Sequence, residues 1–97
     1  MVYQIFQVKR DKIRDYGFRS YEEVKAEFGE PNRENYNLMY EFEGENLGLD
    51  DIYYKFNMDR PEDFKGHSLS VSDVIFDGFA YWYCDSFGWA ELEGWSE

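Results

Sequence analysis

The sequence is short of the residues that give small proteins covalent or metal-based stability. Its 97 residues include one cysteine, Cys84, and one histidine, His67. A single cysteine excludes an internal disulfide framework and a thiolate metal cluster, and one histidine with one cysteine cannot form a zinc cage. Any metal site would have to use carboxylates, and we expect neither a metal nor another cofactor.

Long hydrophobic runs are also missing. The longest apolar run covers residues 79–84, whereas a membrane span needs ~20 apolar residues. The chain opens in a strand pattern, without the basic region and apolar core of a secretory signal, so we expect no signal peptide. These absences predict a cytoplasmic protein that does not interact with membranes.

Basic residues are scarce and unevenly placed. The chain has 21 acidic and 10 basic side chains, a formal charge of −11, and residues 67–97 contain no lysine or arginine. Such a charge repels nucleic acid over most of the surface and attracts cationic partners. The basic residues concentrate between Lys9 and Arg19. With Tyr16 and Phe18 nearby, this stretch could contact RNA or pair with the protein's own acids.

Aromatic residues are abundant instead. They make up 22% of the chain, and hydrophobic residues make up 43%. This is enough apolar area for a core despite the charge, so we predict one folded domain over residues 1–97.

The hydrophobic pattern predicts an α+β fold. Strand-like patterns cover residues 2–8, 36–43, 69–76, 79–84 and 89–93, with Tyr36, Leu38, Tyr40 and Phe42 expected on one face. Ser20 and Glu23 form a capping box before one helical stripe, and a second stripe covers residues 49–56. The order β-α-β-α-β-β-β predicts a curved, mainly antiparallel sheet of about five strands with two helices.

Several polar residues could support chemistry. Asp73 or Asp85 could orient His67 as a general base for a serine or Cys84 nucleophile, and Asp73, Asp77 and Asp85 could hold a magnesium ion. A structural histidine, a packed cysteine and a turn-forming aspartate explain the same residues. No nucleophile-elbow motif is present, so we expect no enzyme.

The acidic residues form a more specific pattern. Glu41 and Glu43 are two residues apart on a predicted strand, which separates them by ~6.6–6.8 Å, and Glu91 and Glu93 repeat that spacing. Further acidic pairs occur at Asp50 and Asp51 and at Glu62 and Asp63. Rows of carboxylates at this spacing can imitate a phosphate backbone, although a solvated sheet face gives the same pattern. Trp82, Trp89 and above all Trp95 are candidate aromatic anchors for a partner.

Two segments carry a family resemblance. Residues 56–75, including Gly-His-Ser-Leu-Ser-Val-Ser-Asp-Val at 66–74, and the Tyr-Cys-Asp-Ser-Phe-Gly-Trp segment at 83–89 resemble the YodL-like domain family. Residues 3–7 and the region of Ser20 and Tyr21 also fit. The resemblance implies an accessory module of conjugative elements, plasmids and phages of Firmicutes, and it brings no established catalytic residue.

Charge and resemblance together suggest three functions. The first is a non-enzymatic inhibitor, anti-CRISPR or anti-restriction, whose carboxylates occupy the basic groove of a host defence nuclease such as an RNA-guided CRISPR nuclease. The second is a protein-interaction module of a conjugation or mobilisation apparatus. The third is a nucleic-acid-processing enzyme that uses His67, Asp73 and Asp85. We expect the first.

Overall fold

The chain folds into five strands and three α-helices of the α+β class. A computed structural model describes residues 1–95. The strands are β1 (Val2–Val8), β2 (Tyr36–Glu43), β3 (Val74–Phe76), β4 (Tyr81–Cys84) and β5 (Trp89–Leu92). The helices are α1 (Ile13–Tyr16), α2 (Tyr21–Phe28) and α3 (Leu49–Met58), with 3-10 turns at Arg10–Lys12 and Arg33–Asn35.

The five strands form one open antiparallel sheet. Their order is β2-β1-β3-β4-β5, so β2 and β5 are its two edges. The predicted α+β class and five-stranded sheet are confirmed. The short helix α1 is an addition, because the sequence pattern predicted only two helices.

Hydrophobic side chains cover both faces of the sheet. On one face, the α2 face, Phe6 and Val8 of β1 share a core with Val24 of α2. On the other, the α3 face, Ile5 shares a core with Phe56 of α3. Successive residues of a strand point to opposite faces, so β1 contributes to both cores. This explains the weak alternation in its sequence.

Strand β2 contains a bulge that the sequence pattern did not reveal. Ile5 of β1 pairs with Tyr40, and the next residue, Phe6, pairs with Leu38, so Met39 has no pairing partner in β1. One extra residue moves all later side chains to the opposite face. Tyr36 therefore packs in the α2-face core, whereas Tyr40 and Phe42 pack on the α3-face core. The prediction that all four share one face is wrong.

Helix α2 begins as the sequence predicted. The amide of Glu23 donates to Ser20 Oγ at 3.2 Å, and the amide of Ser20 donates to Glu23 Oε1 at 3.3 Å. Both bonds satisfy amides that an uncapped helix end would leave free. The helix ends at Gly29, whose φ of 87° favours glycine.

The strand predicted for residues 69–76 begins only at Val74. Ser72 has a φ of 91°, which no extended strand allows. Asp73 Oδ2 accepts a hydrogen bond from the amide of Ser70 at 3.0 Å and so closes a turn. Residues 69–73 therefore form a loop at one end of the sheet.

None of the helices within residues 1–95 is long and apolar enough to cross a lipid bilayer.

Candidate functional site

The segments at residues 66–74 and 83–89 meet at one end of the sheet. The amide of Cys84 donates to the carbonyl oxygen of Asp73 at 2.7 Å, and the amide of Ser72 donates to the carbonyl oxygen of Cys84 at 2.9 Å. The two segments therefore form one continuous surface, with a cavity on either side of the 69–73 loop.

A buried glutamine fixes the first segment in place. Gln7 of β1 is only 2% exposed, and its Nε2 donates to the carbonyl oxygen of His67 at 2.9 Å and to Asp73 Oδ2 at 3.1 Å. Gly66 packs against the same amide so closely that a Cβ there would overlap Gln7 Oε1. A glycine is therefore needed at position 66 by contact with a residue far away in the sequence.

Asp73 is the most perturbed acid in this network. Burial raises the pKa of Asp73 to about 7, although the Ser70 amide, His67 and Gln7 all act to lower it. Burial favours the uncharged form of a carboxyl group because water no longer solvates the charge. Asp73 therefore changes its protonation near neutral pH.

The first cavity lies between α1 and the 69–73 loop, and two residues with unusual backbone conformations line it. It has a volume of about 80 Å³. Phe18 has a φ of 62° and Ser72 a φ of 91°, and the amide of Phe18 donates to Ser72 Oγ at 3.4 Å. Such conformations cost free energy in residues other than glycine. Here they leave the Phe18 ring 72% exposed.

The second cavity, which we call the β5 cavity, lies on the α3 face. Its volume is about 220 Å³, and its lining includes Asp50 and Tyr53 of α3, Cys84 of β4, Asp85 and Trp89 of β5. Trp89 Nε1 donates to Asp50 Oδ1 at 3.0 Å, which holds the start of α3 against β5.

The carboxylates predicted to bind a partner are all exposed, but they do not form one row. Glu41 and Glu43 lie on the edge strand β2, whereas Glu91 lies on the opposite edge strand β5 and Glu93 follows it directly. Three strands lie between the edges, so the two rows are about 19 Å apart. Each row has other predicted acids nearby: Asp63 bonds to Tyr40 of β2, and Asp50 bonds to Trp89 of β5.

Four carboxylates lie at β5 or near its ends, but not on one face. Asp50 and Asp85 line the β5 cavity on the α3 face, whereas Glu93 lines a cavity with Arg33 beside the α2-face core. Asp50 contacts Trp89, the first residue of β5, and Asp85 precedes β5 in the β4–β5 turn. Glu91 lies within β5, and Glu93 directly follows it. We call these four residues the β5 acidic surface. Of the other predicted acids, Asp51 accepts from the Gly48 amide and caps α3, and Asp63 accepts from the Tyr40 hydroxyl. Glu62 is exposed beside Asp63.

The protein's own cations leave these carboxylates unpaired. The ion pairs within residues 1–95 join Arg19 to Glu27 at 2.6 Å and Lys25 to Glu30 at 3.8 Å. Neither involves a predicted binding residue.

The basic stretch from Lys9 to Arg19 is partly occupied by contacts within the protein. Arg19 pairs with Glu27 of this chain, and the Tyr16 side chain is buried. The basic stretch from Lys9 to Arg19 retains only Phe18 as an exposed ring for stacking on a base.

The three tryptophans are poor candidates for free anchors. All are half-buried, and Trp95 packs on the α2-face core while its Nε1 donates to the carbonyl oxygen of Pro31 at 2.7 Å. Trp82 Nε1 donates to Asp77, as that of Trp89 does to Asp50. Trp95 therefore folds back onto the sheet.

Two phenylalanines that we did not single out are far more exposed. Phe87, in the β4–β5 turn, is 96% exposed, and Phe79, in the β3–β4 turn, is 83% exposed. Both follow turn signals, Asp77-Gly78 and Asp85-Ser86, and a turn directs side chains into solvent. The signal for their exposure was therefore in the sequence.

The catalytic arrangements considered above assemble only in part within the described chain. His67 and Asp73 line one cavity with Ser70 and Ser72, and Gln7 Nε2 lies within hydrogen-bond distance of both. His67 Nδ1 contacts the carbonyl oxygen of Ser68 at 2.7 Å, and no hydrogen bond in residues 1–95 joins its ring to Asp85, to Cys84 or to a serine hydroxyl. Burial, followed by Asp73, Asp85 and Asp50, raises the pKa of Cys84 to about 12, which keeps its thiol protonated.

The carboxylates considered for magnesium also stay apart. Asp77 accepts hydrogen bonds from the amides of Phe79 and Ala80 in its own turn, at the opposite end of β4 from Asp85. No group of three or more potential metal ligands exists within the described residues.

Comparison with known proteins identifies the class of the chain. A family model described as YodL-like domain matches residues 2–94. The chain belongs to the YodL-like domain family. Neither the curated proteins nor the solved structures contain a significant match to it.

Proposed function

We propose that this domain is a cytoplasmic, non-enzymatic inhibitor carried by a mobile genetic element. It blocks a host defence nuclease, as an anti-CRISPR or anti-restriction protein, by occupying the basic surface that binds nucleic acid. The observation that supports this proposal is the β5 acidic surface, whose carboxylates have no ion pair within residues 1–95. No lysine or arginine occurs anywhere after position 66.

The physical basis is charge complementarity. A groove that binds nucleic acid presents lysine and arginine side chains, and negative charges fixed on a folded scaffold compete for them. An RNA-guided nuclease is a suitable target, because its channel and the arginines that recognise the adjacent DNA motif are basic and accessible. The separation of the two glutamate rows limits this role to one side of the molecule. We assign it to the β5 acidic surface.

Reversing charge on the β5 side should abolish inhibition. The double variant Glu91→Lys/Glu93→Lys places cations against a cationic partner, so we expect affinity to fall by about 10- to 100-fold. The tagged domain is first used to capture its partner from a host lysate at low salt. Displacement of nucleic acid from that purified partner is then measured for each variant.

The matched control is Glu41→Lys/Glu43→Lys, which makes the same change of charge on the β2 edge. We expect it to weaken displacement by less than about threefold, because it removes only long-range attraction to the cationic partner. Equal losses in both variants would contradict the assignment to the β5 side. Unchanged displacement in both would contradict the electrostatic mechanism, and a partner that keeps its nucleic acid in the presence of the wild-type domain would contradict the inhibitor function itself. Thermal unfolding of each variant verifies that the fold is retained.

Exposed aromatic residues favour a second function. Phe79 and Phe87 are almost fully solvated at the two turns that flank β4, and large exposed aromatic side chains are typical anchors of protein interfaces. A protein-interaction module of a conjugation or mobilisation apparatus would use such anchors, and its affinity would depend little on salt.

The variant Phe87→Ser separates the two functions. An aromatic anchor at an interface contributes about 2 kcal/mol or more, so a module of this kind should lose at least about 30-fold in affinity for the captured partner. An electrostatic inhibitor should lose less than about threefold. Binding of the Phe87→Ser and Glu91→Lys/Glu93→Lys variants to the captured partner is measured at low and high salt. Salt-insensitive binding that depends on Phe87 would favour the module.

A further inference from the structure

The β5 cavity has walls suited to a flat cation. Tyr53 of α3 and Trp89 of β5 both line it, and their rings contact each other edge to face with centroids 6.1 Å apart. Aromatic faces attract cations, and a planar guanidinium can also stack on them. Val71 of the 69–73 loop and the β4–β5 turn residues Ser86 and Gly88 also line it.

Two carboxylates in this lining are held in place with one oxygen each left over. Asp50 Oδ1 accepts from Trp89 Nε1 at 3.0 Å. Asp85 Oδ1 accepts from the amides of Tyr21 at 3.1 Å and Ser86 at 2.7 Å. The Oδ2 atoms of both aspartates accept no hydrogen bond from residues 1–95. Two fixed carboxylates with free oxygens suit a ligand that has several N–H donors.

A buried thiol in the same lining reports negative potential there. Cys84 is 6% exposed and forms no side-chain hydrogen bond in the described part of the chain. After burial, the causes that raise its pKa are the charges of Asp73, Asp85 and Asp50. Neither a lysine nor an arginine contributes to this cavity. Within residues 1–95, therefore, no cationic side chain lines this cavity to offset the negative charge of its carboxylates.

From this geometry we infer that the β5 cavity binds the guanidinium group of an arginine side chain that a partner protein inserts. Arginine satisfies both features of the cavity, because its flat group stacks on aromatic rings and its five N–H donors can bond both aspartates. Lysine offers a compact charge without the flat face. The inference deepens the proposed function, on which it rests for the nature of the partner.

The first test uses arginine itself as the probe. N-acetyl-arginine amide is titrated into ¹⁵N-labelled protein, and N-acetyl-citrulline amide, which has the same shape without the charge, is the matched ligand control. The protein provides its own reporters, because each of its three indole N–H groups has a different acceptor. We expect the arginine probe to shift the Trp89 indole signal and to leave those of Trp82 and Trp95 in place. Citrulline should shift none of them.

Conservative variants then locate the carboxylates involved. Asp50→Asn and Asp85→Asn each remove one charge while an amide oxygen can still accept the bonds from Trp89 or from the Tyr21 and Ser86 amides. We expect each to weaken arginine binding by about tenfold, as for the loss of one hydrogen bond to a charged group. Glu41→Gln on the opposite edge removes the same charge, and we expect it to change binding by less than about twofold.

Several results would overturn the inference. These are equal shifts with arginine and citrulline, equal shifts at all three indoles, or equal weakening by Glu41→Gln and Asp85→Asn. Tighter binding of N-acetyl-lysine amide than of the arginine probe would also overturn the choice of guanidinium. If the arginine probe fails while Glu91→Lys/Glu93→Lys still abolishes displacement of nucleic acid, this inference falls and the proposed function stands. If the probe binds but the captured partner keeps its nucleic acid in the presence of the wild-type domain, the inference stands and the proposed function falls.

Discussion

Replacing Gly66 with alanine is expected to reduce the free energy of unfolding by about 3 kcal/mol, as overpacking against buried side chains does. The added Cβ would overlap Gln7 Oε1 and lie 2.8 Å from Phe64 Cζ. Relief requires the Gln7 amide to move, and this movement breaks its hydrogen bonds to His67 and Asp73. Urea unfolding of the variant and the wild type measures the difference.

A second glycine provides the control. A Cβ at Gly48 would lie 3.2 Å from Asp51 Oδ2, at the end of an exposed side chain that can move. We expect Gly48→Ala to change the free energy of unfolding by less than about 1 kcal/mol. The overlap also predicts coupling, so Gly66→Ala should cost less in a Gln7→Ala background than alone. Equal costs in both backgrounds would show that Gln7 is not what excludes a side chain at position 66.

Sequence reasoning was successful where the determining contacts are local. The capping box joins residues three positions apart, so Ser20 and Glu23 were sufficient to predict the start of α2. Strand β1 was recognisable from its β-branched and aromatic residues. In both cases the chain next to the element carries the relevant contacts, and no tertiary information was needed.

The candidate site depends on contacts that a linear pattern cannot show. Gln7 and Asp73 are 66 positions apart, and nothing in either segment indicates that they share a hydrogen bond. The two-residue spacing of Glu41 and Glu43 could be read from the sequence. Their separation from Glu91 depends on strand order, which places β2 and β5 at opposite edges. The bulge at Met39 likewise arises from pairing with β1.

Ionisation of Asp73 is expected to make the protein less stable as pH rises from about 4 to about 7. Burial raises the pKa of Asp73 from its ordinary 3.8 to about 7 in the folded protein, so the fold favours the protonated form. Between these values the folded state binds a proton that the unfolded state has lost. The free energy of unfolding should therefore fall with rising pH, by about 1.4 kcal/mol per unit and about 4 kcal/mol in all, with no further loss from this group above about pH 7.

The variant Asp73→Asn isolates this contribution from the repulsion among the many exposed acids. An asparagine oxygen can still accept from the Ser70 amide and from Gln7 Nε2, the partners of Asp73 Oδ2, but it does not ionise. The variant should match the wild type near pH 4 and exceed its stability by about 2–4 kcal/mol near pH 8. Glu41→Gln removes one exposed charge instead and should keep the wild-type slope. Urea unfolding measures the slope of the free energy of unfolding against pH for each protein. If Asp73→Asn also keeps the wild-type slope, the pH dependence originates in surface repulsion. The buried network around Gln7 then accommodates an ionised Asp73 without loss of stability.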